Sequence, residues 1–102
     1  MELSPDVRCA VLMDSAGALV AASDTDSARA RRLADLAQEL IGAADAAAPE
    51  PTEQIEARTE GGAVFAVRTV SHTLACVARR LALSALVLYD LRQTMLELER
   101  PA

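Results

Sequence analysis

The sequence predicts an α+β domain: a five-stranded antiparallel sheet built in the order β-β-α-β-β-β-α, with one helix on each face. Three observations carry that expectation. The first is the order of the segments. Two short apolar runs flank a loop that ends in glycine, an amphipathic stretch follows, three more runs are separated by turn residues, and a second amphipathic stretch closes the chain. The second is that CAVLM (9–13), AVFAV (63–67) and TLACVA (73–78) are almost continuously apolar instead of alternating. Strands of that kind are covered on both faces, so each side of the sheet needs a layer. The third is length: 102 residues make one domain, and a domain of that size buries well over half of the surface its unfolded chain exposes. Residues 1–6 read as a short lead-in, 7–99 as the domain and 100–102 as a tail.

Each element has a local reason. VRCAVLM (7–13) and ALVAAS (18–23) are joined by DSAG (14–17), where Asp and Ser favour a turn and Gly admits a positive φ. SDTDS (23–27) is rich in capping residues, and Asp24 and Asp26 suit a helix N-terminus. In the segment after it, Leu33, Leu36, Ala37, Leu40 and Ile41 recur at three- and four-residue spacing, with Arg31, Arg32, Asp35, Gln38 and Glu39 largely opposite. That is one helical stripe over residues 27–44. The prolines at 49 and 51 then block further helix. TEQIEART (52–59) is the most polar strand, EGG (60–62) a turn, AVFAVRTV (63–70) a strand, Ser71-His72 a two-residue turn and TLACVAR (73–79) the last strand. Over residues 82–99, Leu88, Leu91, Met95 and Leu98 form a stripe that Leu83, Leu86 and Val87 widen.

Composition excludes several function classes. Hydrophobic residues make up 52%, too many for a disordered chain. Aromatic residues make up 2% (Phe65 and Tyr89), which argues against a base-stacking surface. The net charge of −5 and pI near 4.7 argue against nucleic acid as partner. No apolar run reaches the roughly 18 residues of a membrane span, and MELSPDVR does not have the shape of a signal peptide. The expectation is a cytoplasmic protein that does not insert in a membrane, with Cys9 and Cys76 reduced and buried.

No catalytic constellation stands out. His72 and Cys76 are four residues apart, but on a strand four steps of about 3.3 Å separate them by about 13 Å, too far for a nucleophile and its base. No Cys/His cluster has metal-ligand spacing, so neither a metal nor a cofactor is expected. Gly61-Gly62 lacks the lysine and helix start of a phosphate-binding loop and reads as a hairpin turn. The arginines of ARARR (28–32) offer a solvated helix face or a partner surface comprising Arg29, Arg31, Arg32 and Asp35, in which Arg31 and Asp35 are spaced to pair. The Ala-rich helix permits close helix–helix approach, which suits a dimer seam comprising Leu33, Leu36, Ala37, Leu40, Ile55 and Ala57.

VRCAVLMDSAGALVAAS (7–23), ARRLADLAQELIGAA (30–44), IEARTEGGAVFAVRTVSHTLACVARR (55–80) and LALSALVLYDLRQTMLEL (81–98), in this order, resemble the roadblock (dynein light-chain) family. The resemblance covers about 7–98 and lies in the combined order and spacing, since each piece alone is a common hairpin or helix. Only residues 1–6 precede the first strand, where family members usually carry a helix. Leu81, Leu83 and Ser84 stand where the family has Asn and Gly near the start of the last helix. The resemblance implies a sheet with profilin-like layering and no enzymatic activity. It also implies pairing of the third strand and preceding helix with a second copy or a related chain. The role it implies is a regulator or platform for a small Ras-like GTPase. The alternative from another class is a small ligand-sensing domain of similar architecture.

Overall fold

The computed structural model describes residues 5–23 and 25–100. Seven elements run in the expected order: β1 (Val7–Asp14), β2 (Leu19–Ala22), α1 (Ser27–Ala47), β3 (Gln54–Thr59), β4 (Gly62–Arg68), β5 (His72–Ala78) and α2 (Ser84–Leu98). The five strands form one antiparallel sheet in the spatial order β2-β1-β5-β4-β3. The α+β class and the placement of one helix on each face are as the sequence predicts.

The register explains the continuous apolar runs. Val11, Ala75, Ala66 and Ile55 lie side by side across β1, β5, β4 and β3, and this row faces α1. The neighbouring row, Ala10, Cys76, Phe65 and Glu56, faces α2. Successive side chains of a strand point to opposite faces, so strands between two helices are apolar at every position. On one side Ala30, Leu33, Ala34, Ala37 and Ile41 of α1 close over Cys9, Val11, Met13, Ala66 and Ala75. On the other Val87, Leu91 and Met95 of α2 close over Phe65, Val67, Leu74 and Cys76.

The turn 14–17 is built from its own residues. Asp14 Oδ1 accepts from the N–H of Ala16 and of Ala18, both at 2.9 Å, and Gly17 takes φ +87°, a conformation that costs glycine little. The cap of α1 is Asp26, whose side chain accepts from Ala28 N and Arg29 N. Asp24 lies outside the described residues.

Several boundaries differ from expectation: β3 opens at Gln54 instead of residue 52, β1 and β2 shift by a residue at their ends, and three further differences concern the helices and the β4–β5 turn. Helix α1 continues to Ala47, past Gly42. Gly42 faces open space, so it costs only propensity, about 1 kcal/mol, and the alanines after it are the best helix formers. Ala48 is extended at φ −121°, ψ 150°, the conformation a residue preceding proline prefers, and the helix stops there. The β4–β5 turn is shifted by one residue: Thr69 N donates to His72 O at 2.8 Å, so the loop is Val70-Ser71 and His72 opens β5. Finally, α2 starts at Ser84, after an N-cap Leu83 that makes no side-chain cap.

Candidate interaction surface

Strand β3 is one edge of the sheet. Glu53 O accepts from Arg68 N at 2.8 Å, and bonded positions alternate along an antiparallel strand. Ile55, Ala57 and Thr59 therefore direct their backbone groups at β4. The N–H and C=O groups of Gln54, Glu56 and Arg58 point away from the sheet. Such a row is a template for another strand. The side chains of Ile55 and Ala57 lie on the α1 side, half-buried, beside Leu36 and Leu40. Leu36 is 42% exposed, while Leu33 and Ala37 are 5% and 0% exposed and packed into the chain's own core. The six seam residues expected from the sequence thus divide. Leu36, Leu40, Ile55 and Ala57 meet at one surface strip; Leu33 and Ala37 hold α1 on the sheet beneath it.

On the α2 side of β3 lies a polar network that the sequence does not announce. Arg58 donates to Arg80 O (2.5 Å), Ala82 O (2.7 Å) and Ser84 Oγ (2.8 Å). Its Nε pairs with Glu56 Oε2 at 2.7 Å, and its guanidinium lies 5.4 Å from the Phe65 ring centroid, within cation–π range. Glu56 Oε2 also accepts from Ser84 Oγ at 2.7 Å. The Ser84 hydroxyl, and then Arg58, hold the Glu56 carboxyl below its ordinary value. This network fixes the start of α2, where Leu83 supplies no cap. Arg92 and Gln54 make a further contact between α2 and the same strand.

Arg29, Arg31, Arg32 and Asp35 are all exposed on α1. Arg29 lies 3.8 Å from Asp26; no ion pair joins Arg31 to Asp35 among the described residues. The structure adds Arg8. In β1, Val7 pairs with Ala78 and Cys9 with Val77, so Arg8 is an extra residue against β5. It lines one hollow with Arg29 and Arg32.

The remaining polar clusters are structural. His72 Nδ1 is 3.0 Å from Glu99 Oε2 and 3.1 Å from Ser71 Oγ. In a catalytic triad the nucleophile and the acid use different ring nitrogens; here both meet the same one. Glu99 also accepts from Thr69 Oγ1 at 2.6 Å and from Ser71 Oγ. These hydroxyls, Ser71 first, and then His72 hold its carboxyl low, and the contact ties the end of α2 to the β4–β5 turn. Cys76 is fully buried, and desolvation pushes its thiol up to about 12, which leaves no thiolate nucleophile at neutral pH.

A hollow of about 680 Å³ beside the second half of α1 is lined by Asp14, Glu50 and Glu53. The arginine in it, Arg68, is committed to Asp45 through two bonds of 2.9 and 2.7 Å. That guanidinium, with the Thr52 N–H, holds Asp45 well below the usual carboxylate range. Among the described residues no group of three or more His, Cys, Asp or Glu side chains is placed to hold a metal ion, and no helix is long and apolar enough to cross a membrane.

The Roadblock/LC7 domain model matches residues 1–79, about three-quarters of the chain. The chain belongs to the Roadblock/LC7 domain family. Its roadblock fold is shared with solved structures of low sequence identity. A Roadblock/LC7 domain from Streptomyces avermitilis is 21% identical with a TM-score of 0.79, over 91% of this chain and 84% of that one. Myxococcus xanthus MglB is 15% identical with a TM-score of 0.72, over 90% of this chain and 74% of that one. A structure described as MglB with tetrameric arrangement is 20% identical with a TM-score of 0.71, over 85% and 71%. Among curated proteins there is no match. The family match ends at Arg79, so the likeness of α2 to the family rests on these structures.

Proposed function

We propose that this roadblock domain is a non-enzymatic, cytoplasmic module that dimerises through β3 and α1 and regulates or scaffolds a small Ras-like GTPase or its signalling complex. The observation that carries the reading is the outward-facing backbone of Gln54, Glu56 and Arg58 beside the apolar strip of Leu36, Leu40, Ile55 and Ala57. Pairing two such edges across a two-fold, with a second copy or a related chain, joins two sheets and covers both strips together. The fold shared with the tetrameric MglB arrangement supports an assembling module. The GTPase role rests on the family resemblance. Such a module acts by contacting one conformation of the GTPase's switch segments better than the other, which shifts their population without chemistry of its own. The surface available is the exposed α1 face with Arg29, Arg31, Arg32 and Asp35.

Sedimentation equilibrium tests the dimer: a concentration-dependent dimer is expected, and a monomer at all micromolar concentrations overturns it. Capture of a small GTPase from the same cell by the purified chain, followed by its hydrolysis and exchange rates with and without the chain, tests the partner. A GTPase whose rates and localisation are indifferent to the chain removes that part.

A further inference from the structure

The strand irregularity at Arg8 gives the α1 partner surface a chemistry. Two residues of β1 step past one of β5, from Val7 opposite Ala78 to Cys9 opposite Val77. A bulge of this kind re-aims the extra side chain. Arg8 lines a hollow with Arg29 and Arg32, over an apolar floor of Cys9, Leu33, Leu36 and Val77. The chain carries net charge −5, yet three arginines line this one hollow. Arg58, Arg68 and Arg79 have carboxylate partners in Glu56, Asp45 and Asp6, and within the hollow Arg29 lies 3.8 Å from Asp26. Arg8 and Arg32 have no carboxylate partner among the described residues, and neither does the adjacent, exposed Arg31.

We propose that this hollow docks an acidic segment of a partner protein, anchored by one apolar side chain on the floor and held by carboxylates at Arg8, Arg29 and Arg32. At about 330 Å³ the hollow stands at the low end of ligand-site volumes of roughly 300–1,000 Å³, room for an anchor side chain rather than a whole metabolite. Arginine forks hold carboxylates bidentately and fix orientation. The apolar floor is what separates this site from a diffuse charge patch. The reading deepens the proposed partner surface of α1 and rests on it; the hollow shares Leu36 with the strip of the proposed dimer, so the oligomeric state is followed beside binding.

The test is selection of a random dodecapeptide phage library on the purified full chain. Selected peptides are expected to carry carboxylates on both sides of a leucine, isoleucine, methionine or phenylalanine. Their affinity, read by fluorescence anisotropy of the synthetic peptides, is expected to fall at least tenfold in Arg8→Glu/Arg32→Glu and less in Arg8→Gln/Arg32→Gln. It is also expected to weaken with salt, because exposed charges are screened. Amide shifts on binding are expected at Cys9, Arg32, Leu36 and Val77. Circular dichroism checks that both double variants fold, and the neutral pair carries the test if the reversed pair does not. Peptides without acidic enrichment, equal binding to the folded variants, or equal binding of polyglutamate lacking the apolar anchor each overturn the proposal. Sedimentation of the same variants keeps the outcomes apart: loss of peptide binding with an unchanged dimer isolates the hollow. A captured GTPase that binds both variants as well as the wild type leaves a GTPase role standing and removes only this site.

Discussion

Glu56→Pro tests the seam with a change the fold tolerates. The Glu56 N–H points away from β4, so proline there removes no bond of the β3–β4 ladder. Proline is accepted on an edge strand when its nitrogen faces outward, and the extended residue before it suits the ring. In a two-fold dimer each copy loses one donor across the seam. At about 0.5–1.5 kcal/mol net per hydrogen bond, two lost bonds weaken the dimer by about 1–3 kcal/mol. With tenfold per 1.4 kcal/mol, that is roughly 5- to 150-fold in Kd. The substitution also deletes a carboxylate that accepts from Arg58 and Ser84. Glu56→Ala carries the same deletion but keeps the N–H, so the comparison between the two isolates the backbone term. Ala57→Pro is the opposite control: its N–H serves β4, and that variant is expected to lose fold stability. Sedimentation equilibrium across a concentration series supplies the constants. Equal dimer constants for Glu56→Pro and Glu56→Ala, with both folded, would refute the β3 seam.

Phe65→Ala removes the one aromatic side chain of the core, fully buried under α2, and is expected to cost about 3–5 kcal/mol in urea denaturation; a loss under about 1 kcal/mol would mean α2 does not pack there. Glu99 is held below its ordinary 4.5 in the fold, so its contribution is present above pH 4.5 and is lost as pH falls through the lower folded value. In Glu99→Gln the urea midpoint is accordingly expected to fall less than the wild type's between pH 5 and pH 3; identical slopes contradict the contact with Ser71, Thr69 and His72. Cys76 is fully buried and is not expected to react with a thiol reagent at neutral pH until denaturant unfolds the chain. Rapid labelling of Cys76 in the native state contradicts its place under Phe65 and α2.

What the sequence reveals about this domain follows from how local each signal is. The helices and strands are legible because their periodicity lies within the segment: Leu33, Ala37 and Ile41 mark a helix by spacing alone. The continuous apolar runs also announce the two-sided cover. The β4–β5 turn is misplaced by one residue because polarity points to Ser71-His72 as the tip. The ladder instead pairs Arg68 with Thr73, and Val67 with Leu74 on the α2 side. A one-residue slip would turn each side chain to the wrong face, and that outweighs leaving Val70 99% exposed at the tip. Arg8 is illegible for a related reason. Its orientation follows from how β1 steps past Val77 and Ala78, far along the chain, and no local pattern encodes it. The division of the six residues expected at a seam is of the same kind, since the stripe of α1 does not say which leucines face the sheet and which stand at its flank.

Strand β3 shows why the polar segment is the informative one. Its alternation assigns three tasks to six residues. Inward backbone groups at Ile55 and Ala57 hold β4, outward groups at Glu56 and Arg58 face away from the sheet, and the side chains of these last two hold the start of α2. A strand buried on both faces needs only apolar residues, but this one must be apolar toward α1 and charged toward α2. TEQIEART reads as the most polar strand because only Ile55 and Ala57 follow an apolar pattern. A substitution at Glu56 or Arg58 therefore acts on the open strand edge and on α2 together. Dimer constants and helix stability have to be measured on the same variants before either is assigned to the edge.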